Sequence, residues 1–224
     1  MSASESGYTG DVTVGGPADV RELPGLTITK LAVSDMANNA YLLRDAATGE
    51  ALLIDAAADP EALRGLIGDS DLRTVVTTHG HWDHHRALPD VVSATGAETV
   101  AHAADAGDLP VPVTRTVDHG DTVTFGGQTL EVIHLRGHTP GSIALVWRGP
   151  DDAGVHVFTG DSLFPGGVGN TQQDAARFAS LIDDVEDRLF GALPDETWVY
   201  PGHGADTTLG AERPHLADWR ERGW

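Results

Sequence analysis

Four side chains able to bind a metal ion fall within six residues: His79, His81, Asp83 and His84, in the run Thr78-His79-Gly80-His81-Trp82-Asp83-His84-His85. Imidazole nitrogen and carboxylate oxygen, at roughly 2.0–2.2 Å, are the donors Zn²⁺ accepts where thiolate is lacking. The spacing contains two ligand pairs, enough to serve two ions. Three later segments each set one further donor beside glycine or proline: Gly137-His138-Thr139-Pro140-Gly141-Ser142, Thr159-Gly160-Asp161-Ser162-Leu163-Phe164 and Tyr200-Pro201-Gly202-His203-Gly204. Glycine lets the backbone turn sharply and bring a donor close to an ion. One Gly-His or Gly-Asp is ordinarily a turn, whereas four such signals in one chain describe a metal centre.

The surrounding pattern says what must position these residues. Short β-branched and aliphatic runs at Leu26 to Val33, Ala40 to Arg44 and Ala51 to Ile54 predict a strand meander, broken at Asn38-Asn39 and Thr48-Gly49. Asp59-Pro60 opens a helix that stops near Gly68, with Asp59 as N-cap and Pro60 at its first position. Leu72 to Thr77 is a strand running straight into the histidine cluster, and Arg86 to Val92 a short helix after it. Strands follow at Thr99 to His102 and at Val111 to Val117, the second made irregular by Pro110 and Pro112. Thr122 to Phe125 and Thr129 to Leu135 form a hairpin. Ile143 to Trp147 and Val155 to Phe158 pair across the turn Arg148-Gly149-Pro150-Asp151-Asp152. Phe178, Leu181, Ile182, Val185 and Leu189 recur at helical spacing between Asp174 and Phe190. Thr197 to Tyr200 is the last strand and Ala211 to Arg222 a terminal helix. The expectation is a loose N-terminal arm over residues 1–24 and one domain over 25–224. Two strand-rich halves, each closed by helix, suit two sheets packed face to face with helices outside.

Composition narrows the function. The 224 residues hold 14 basic and 34 acidic side chains, a formal charge of -20, which repels nucleic acid and anionic membrane. Eleven histidines stand against a single lysine, Lys30, and there is no cysteine, so a disulfide framework, a thiolate nucleophile and Cys-ligated zinc are excluded. No apolar run reaches the 18 residues of a membrane span, and Met1 to Gly16 lacks the basic start and apolar run of a leader. A cytoplasmic enzyme acting on a small molecule is the expectation, with oligomeric state open.

The motifs T-H-G-H-W-D-H, G-H-T-P-G-S, T-G-D-S-L-F and P-G-H-G make residues 26 to 210 resemble the metallo-β-lactamase-fold hydrolases, and among them the glyoxalase II-like thiolester hydrolases. The resemblance implies an α/β fold, an αββα sandwich of two mixed sheets with a two-metal site at one edge. It implies that His79, His81 and His138 hold the first ion, that Asp83, His84 and His203 hold the second, and that Asp161 bridges both. Two divalent ions are then expected, zinc foremost, with iron or manganese also fitting these N/O donors. The nucleophile would be a hydroxide held between the ions, with Asp83 and Asp161 as catalytic carboxylates that orient the centre.

Departures from the family pattern qualify the substrate. The chain stops soon after His203, too soon for the helical domain of the longer glyoxalase II enzymes, so a short-type chain is expected. Asn170 stands where many relatives carry a basic residue. Both features favour a small thiolester without strict demand for glutathione, with Arg136 and Arg177 as available anion contacts. The lack of cysteine and the presence of Asp161 argue against β-lactam hydrolysis, and the charge argues against RNA. A mononuclear iron persulfide dioxygenase and a lactonase or ester hydrolase are the alternative readings of the same motifs. His85 reads as a neighbour of the centre, not a ligand. His102, His119, His134, His156 and His215 read as structural, and Trp82 and Tyr200 as either pocket wall or packing.

Overall fold

The structure, a computed structural model, describes residues 7–150 and 153–223. The first six residues of the expected arm, and Asp151 and Asp152 of the expected turn, lie outside the described residues. The chain begins with a meander, β1 (Asp19–Leu23), β2 (Leu26–Val33), β3 (Asn38–Asp45) and β4 (Glu50–Ile54), followed by α1 (Pro60–Ile67), β5 (Asp71–Val76), α2 (Leu88–Thr95), β6 (Glu98–His102) and β7 (Arg115–Val117). These seven strands form one sheet in sequence order, antiparallel from β1 to β4 and parallel from β4 to β7. The second half contains β8 (Thr122–Phe125), β9 (Gln128–His134), β10 (Ile143–Arg148), β11 (Val155–Gly160), the small ribbon β12 (Leu163–Phe164) and β13 (Gly167–Val168), α3 (Ala175–Val185), β14 (Trp198–Pro201), β15 (Thr207–Thr208), α4 (Leu209–Glu212) and α5 (Leu216–Arg222). Its six-stranded sheet runs β15-β14-β11-β10-β9-β8, with β11 and β14 parallel.

Period-two alternation sends successive side chains to opposite faces of each sheet, and three apolar layers result. Leu43, Leu52, Ile54 and Val76 meet Leu130, Val132, Leu145 and Phe158 between the sheets. Leu42, Leu53 and Val75 face outward against Leu63 of α1 and Leu88 and Val91 of α2. On the opposite side Ile133, Val146 and Val157 pack against Phe178, Leu181 and Ile182 of α3 and Trp219 of α5. This is the expected αββα sandwich. Among the described residues no helix is long and apolar enough to cross a membrane.

Three segments differ from the sequence reading. The arm is not loose where it is described: Asp19 to Leu23 pair with Leu26 to Lys30 as β1, and Gly10 O accepts from Lys30 Nζ at 2.6 Å. The strand expected over Val111 to Val117 shrinks to β7, because Pro110 and Pro112 cannot donate to a ladder and the Pro112 carbonyl instead accepts from Thr99 Oγ1. The terminal helix breaks at Arg213–His215, a 3₁₀ turn containing Pro214, which has no N–H to continue an α-helix.

The chain's one lysine explains both the ordered arm and the placement of the last loop. Its side chain is fully buried and donates to Gly10 O, to Gly204 O at 2.7 Å and to Asp206 Oδ1 at 2.6 Å. Asp206, equally buried, also accepts from Tyr8 Oη and Trp198 Nε1. One ammonium therefore fastens the N-terminal segment to the loop that carries His203. Removing one partner of such a pair leaves a buried charge without compensation, at a cost of about 3–5 kcal/mol. Lys30→Met should lower the unfolding free energy measured by urea titration by that amount, and Lys30→Met with Asp206→Leu should recover most of it. A loss below about 1 kcal/mol for the single variant would assign the fastening to other contacts.

Candidate metal centre

All seven predicted donors converge at one edge of the sandwich, where the ends of strands from both sheets meet. His79 and His81 follow β5, and Asp83 and His84 sit on the 3₁₀ turn Trp82–His84 that comes next. His138 lies between β9 and β10, Asp161 directly after β11, and His203 directly after β14. Their donor atoms form three overlapping groups within metal-sharing distance: His79, His81 and His138; His79, His84 and Asp161; Asp83, His84 and His203. His84 Nε2 stands 3.2 Å from His203 Nε2 and 3.3 Å from Asp161 Oδ1. The rings of His79 and His81 each lie within 5 Å of the His138 ring, centroid to centroid, at 4.8 and 4.5 Å. Gly202 permits this crowding, since a Cβ there would stand 2.1 Å from Asp161 Oδ1.

Outward hydrogen bonds aim the rings. His84 Nδ1 donates to Asp55 Oδ2 at 2.9 Å, His138 Nδ1 to Asn170 O at 2.9 Å and His203 Nδ1 to Met36 O at 2.9 Å. His79 Nδ1 lies 3.1 Å from Thr78 Oγ1, which donates in turn to Asp55 Oδ2 at 2.8 Å. With Nδ1 committed outward, Nε2 is left to face the centre. His79 Nε2, His138 Nε2 and Asp161 Oδ1 are buried there with no hydrogen-bond partner. Buried polar atoms are rarely left so. Atoms of this kind, all lone-pair donors, fit a divalent cation.

Proton affinities in the cluster spread apart. Burial, reinforced by the nearby His84, holds the His79 imidazole well below its ordinary value, and burial brings His138 to about 4. Burial also acts to lower His84, but Asp161 and Asp55 beside it outweigh that and raise it to about 10. His203 is raised in the same way by Asp161 against its burial. Burial by itself would raise Asp161, yet the His203 and His84 imidazoles hold its carboxyl well below the usual carboxylate range. The centre thus keeps its carboxylates ionised and needs positive charge among them, which a divalent ion supplies in exchange for protons.

The metallo-beta-lactamase superfamily model matches residues 33–203, a span that runs from the end of β2 to the last of the seven donors. The chain belongs to that superfamily. A hydroxyacylglutathione hydrolase of Fuscovulum blasticum is 38% identical over 169 residues, 74% of this chain and 62% of that protein. The chain therefore spans about 62% of the length of such relatives. Among solved structures of the superfamily, ETHE1 from Myxococcus xanthus matches with a TM-score of 0.72 at 32% identity, covering 87% of this chain and 84% of its own. TTHA1623 in a di-iron-bound form matches with a TM-score of 0.66 at 33% identity, covering 82% and 96% respectively.

Several residues that serve the centre escaped the sequence reading. Asp55, in the left-handed region at φ 58°, accepts from Thr78 N and Thr78 Oγ1 as well as from His84. Its signal was a carboxylate at the end of an apolar strand beside the strand that leads to the cluster. Asn38 Nδ2 donates to Asp83 Oδ2 at 2.8 Å, and nothing in Asn38-Asn39 beyond a turn announced it. Asp105 accepts from Gly80 N, Thr139 Oγ1 and Gly141 N, joining the first donor loop to the His138 loop. His85 is buried, with Nε2 3.2 Å from Gly80 O, and supports the loop instead of joining the donor groups. His102 and His134 stack at 4.0 Å beside Asp118 as a further His/Asp group. There Ala104 N donates to His102 Nδ1, so a neutral His102 carries its proton on Nε2, toward Asp118. Arg136 and Arg177 are already engaged, Arg136 in a two-pronged pair with Asp184 and Arg177 on the carbonyls of Gly137 and His138.

Partners that orient metal-binding histidines typically account for 10–100-fold in metal affinity. Asp55→Asn should therefore weaken divalent-ion binding by about that factor in competition with a chelator, while far-UV circular dichroism stays unchanged. Unchanged affinity would show that the His84 ring is oriented by its packing alone.

Proposed function

We propose that the chain is a metal-dependent hydrolase with a dinuclear centre that cleaves a small thiolester. The observation that carries the reading is the overlap of the donor groups: the trio His79, His84 and Asp161 shares one member with the group His79, His81, His138 and another with the group Asp83, His84, His203. On this reading His79, His81 and His138 hold one ion, Asp83, His84 and His203 hold the second, and Asp161 serves both. Zinc is the preferred metal, with iron or manganese accepted, since the donors are all nitrogen and oxygen. The di-iron form of TTHA1623 supports two ions, and the hydroxyacylglutathione hydrolase relatives support a thiolester.

When bound, a pair of divalent ions lowers the pKa of water toward roughly 7 and polarises a carbonyl. The chain's own residues do the rest. Asp55, Asn170 and Met36 O hold three imidazoles in one tautomer, so that no proton stands between ring and ion. Asn38 fixes Asp83 by donating to the oxygen that faces His84 and His203. Beside His81 and His138 a cavity of about 570 Å³, with Gly137, Pro140 and Ala176 in its wall, accommodates the half of the substrate that leaves. A thiolate departs without a proton, so the reaction makes no demand for a general acid in the cavity.

Elemental analysis of protein purified without chelator should find two divalent ions per chain. A single iron per chain would favour the mononuclear iron dioxygenase reading. The metal-loaded protein, offered a panel of thiolesters and lactones, should hydrolyse lactoyl thiolesters fastest, and a lactone preference would replace this proposal by the lactonase reading. Within the thiolesters, kcat/KM for lactoylglutathione should stay within roughly a hundredfold, about 2.7 kcal/mol, of that for the same acyl group on a truncated thiol. Asp161→Ala should lose at least about a hundredfold more kcat/KM than His85→Ala, because Asp161 would touch both ions and His85 neither. Equal losses would sink the ligand assignment.

A further inference from the structure

The cavity beside His81 and His138 is lined by a carboxylate that no side chain or backbone group engages among the described residues. Asp108, the last residue of the 3₁₀ turn Ala106–Asp108, lines it together with Gly80, His81, Pro140 and Arg177. Asp108 is exposed, and its carboxylate makes no hydrogen bond or ion pair among the described residues. Its position is nevertheless fixed. Asp105, three residues earlier, is buried and accepts from Gly80 N, Thr139 Oγ1 and Gly141 N, which clamps the turn onto both donor loops. The approach is so close that a Cβ on Gly80 would lie 3.0 Å from Asp108 Oδ2. A carboxylate is thereby held over the residue that separates His79 from His81.

The cationic side is arranged differently. Arg177, in the same wall, directs Nε to Gly137 O at 2.8 Å and Nη2 to His138 O, so these N–H groups hold the loop and are not offered to a ligand, although the guanidinium keeps its charge. Arg136 is neutralised by Asp184. An anionic group entering the cavity meets an unpaired carboxylate on a clamped turn, whereas a cationic group meets a partner already in place. The acyl half of a small hydroxyacyl thiolester is far smaller than about 570 Å³, so the thiol half is the one that fills this space.

On the thiolester reading above, we propose that Asp108 is a specificity-determining residue, selecting thiolesters whose thiol half carries a protonated amine. The bond cleaved and the proton balance are those of ordinary hydrolysis: water adds across the C–S bond, giving acid and thiol. Asp108 takes no part in that step and acts through binding of the remote ammonium.

The test uses the metal-loaded protein and three lactoyl thiolesters of similar size, built on 2-(dimethylamino)ethanethiol, 2-methoxyethanethiol and 3-mercaptopropionate, none of which can pass its acyl group to a nitrogen or oxygen of its own thiol half. The amine ester should exceed the carboxylate ester in kcat/KM by about tenfold, with the difference in KM, and Asp108→Asn should bring the two within about twofold. Asp69→Asn, on the exposed turn after α1, removes the same charge elsewhere and should leave the preference intact. Calorimetry with the corresponding uncleavable thioethers should give the same order of affinity without turnover. Loss of the preference in both variants, or its persistence in Asp108→Asn, would assign it to net charge and overturn the proposal. Equal cleavage of all three esters by the unaltered protein would overturn it while leaving the thiolester reading intact. No cleavage of the neutral ester would overturn both.

Discussion

Seven lone-pair donors pressed together at one edge of a sandwich repel one another unless positive charge stands among them, and the rest of the architecture is arranged around that constraint. Desolvation drives the imidazoles toward neutrality, as at His79 and His138, while Asp161, joined at His84 by Asp55, raises the proton affinity of His84 and His203. A cluster with such opposed demands would splay apart if its rings were free to turn. What prevents it is a set of bonds on the far side of the His79, His84, His138 and His203 rings, and Asp55 is the most heavily used member. It anchors His84 directly and His79 through the Thr78 hydroxyl, so one carboxylate sets the orientation of a donor in each of the three groups.

Strand direction makes the convergence possible. The parallel run β4, β5, β6 delivers Asp55 and the histidine cluster to the same edge, and the parallel pair β11, β14 delivers Asp161 and His203 to the facing edge of the other sheet. Asn39 N donates to Gly202 O, and Asn38 bridges to His203, which ties the first sheet to the loop of the second. Lys30 completes this seam by holding Gly204 O, one residue beyond His203. The only lysine in a chain of charge -20 is therefore spent internally, at a point where its loss would free a metal-facing loop.

The donors themselves were legible because their spacing is improbable without a centre to serve, and the strands because alternation and turn residues mark them clearly. What stayed hidden was everything that acts through tertiary proximity. Asp55, Asn38 and Asp105 lie 25 or more residues from at least one partner they hold, and each looks like an ordinary strand-end or turn residue in the sequence. The arm was misread for a similar reason. Its composition is poor in apolar residues, but Gly10 and Tyr8 are fixed by a buried ion pair with Lys30 and Asp206, some 20 and 198 residues away. The terminal helix was misread because the apolar periodicity on either side of Pro214 masked the missing N–H.

Charge distribution connects the fold to the substrate. The basic side chains nearest the cavity are consumed in building it: Arg136 by Asp184, Arg177 by two loop carbonyls. On the proposed hydrolase reading, positive potential at the reacting carbonyl would come chiefly from bound ions, where oxyanion stabilisation is most effective. Away from the ions the same cavity presents Asp108, and at a Debye length of about 8 Å such a local carboxylate outweighs the distant surface charge. On the proposed thiolester reading, the carbonyl and the remote end of a substrate would meet opposite fields within one pocket. A ligand that is electron-rich at the cleaved bond and cationic at its far end satisfies both.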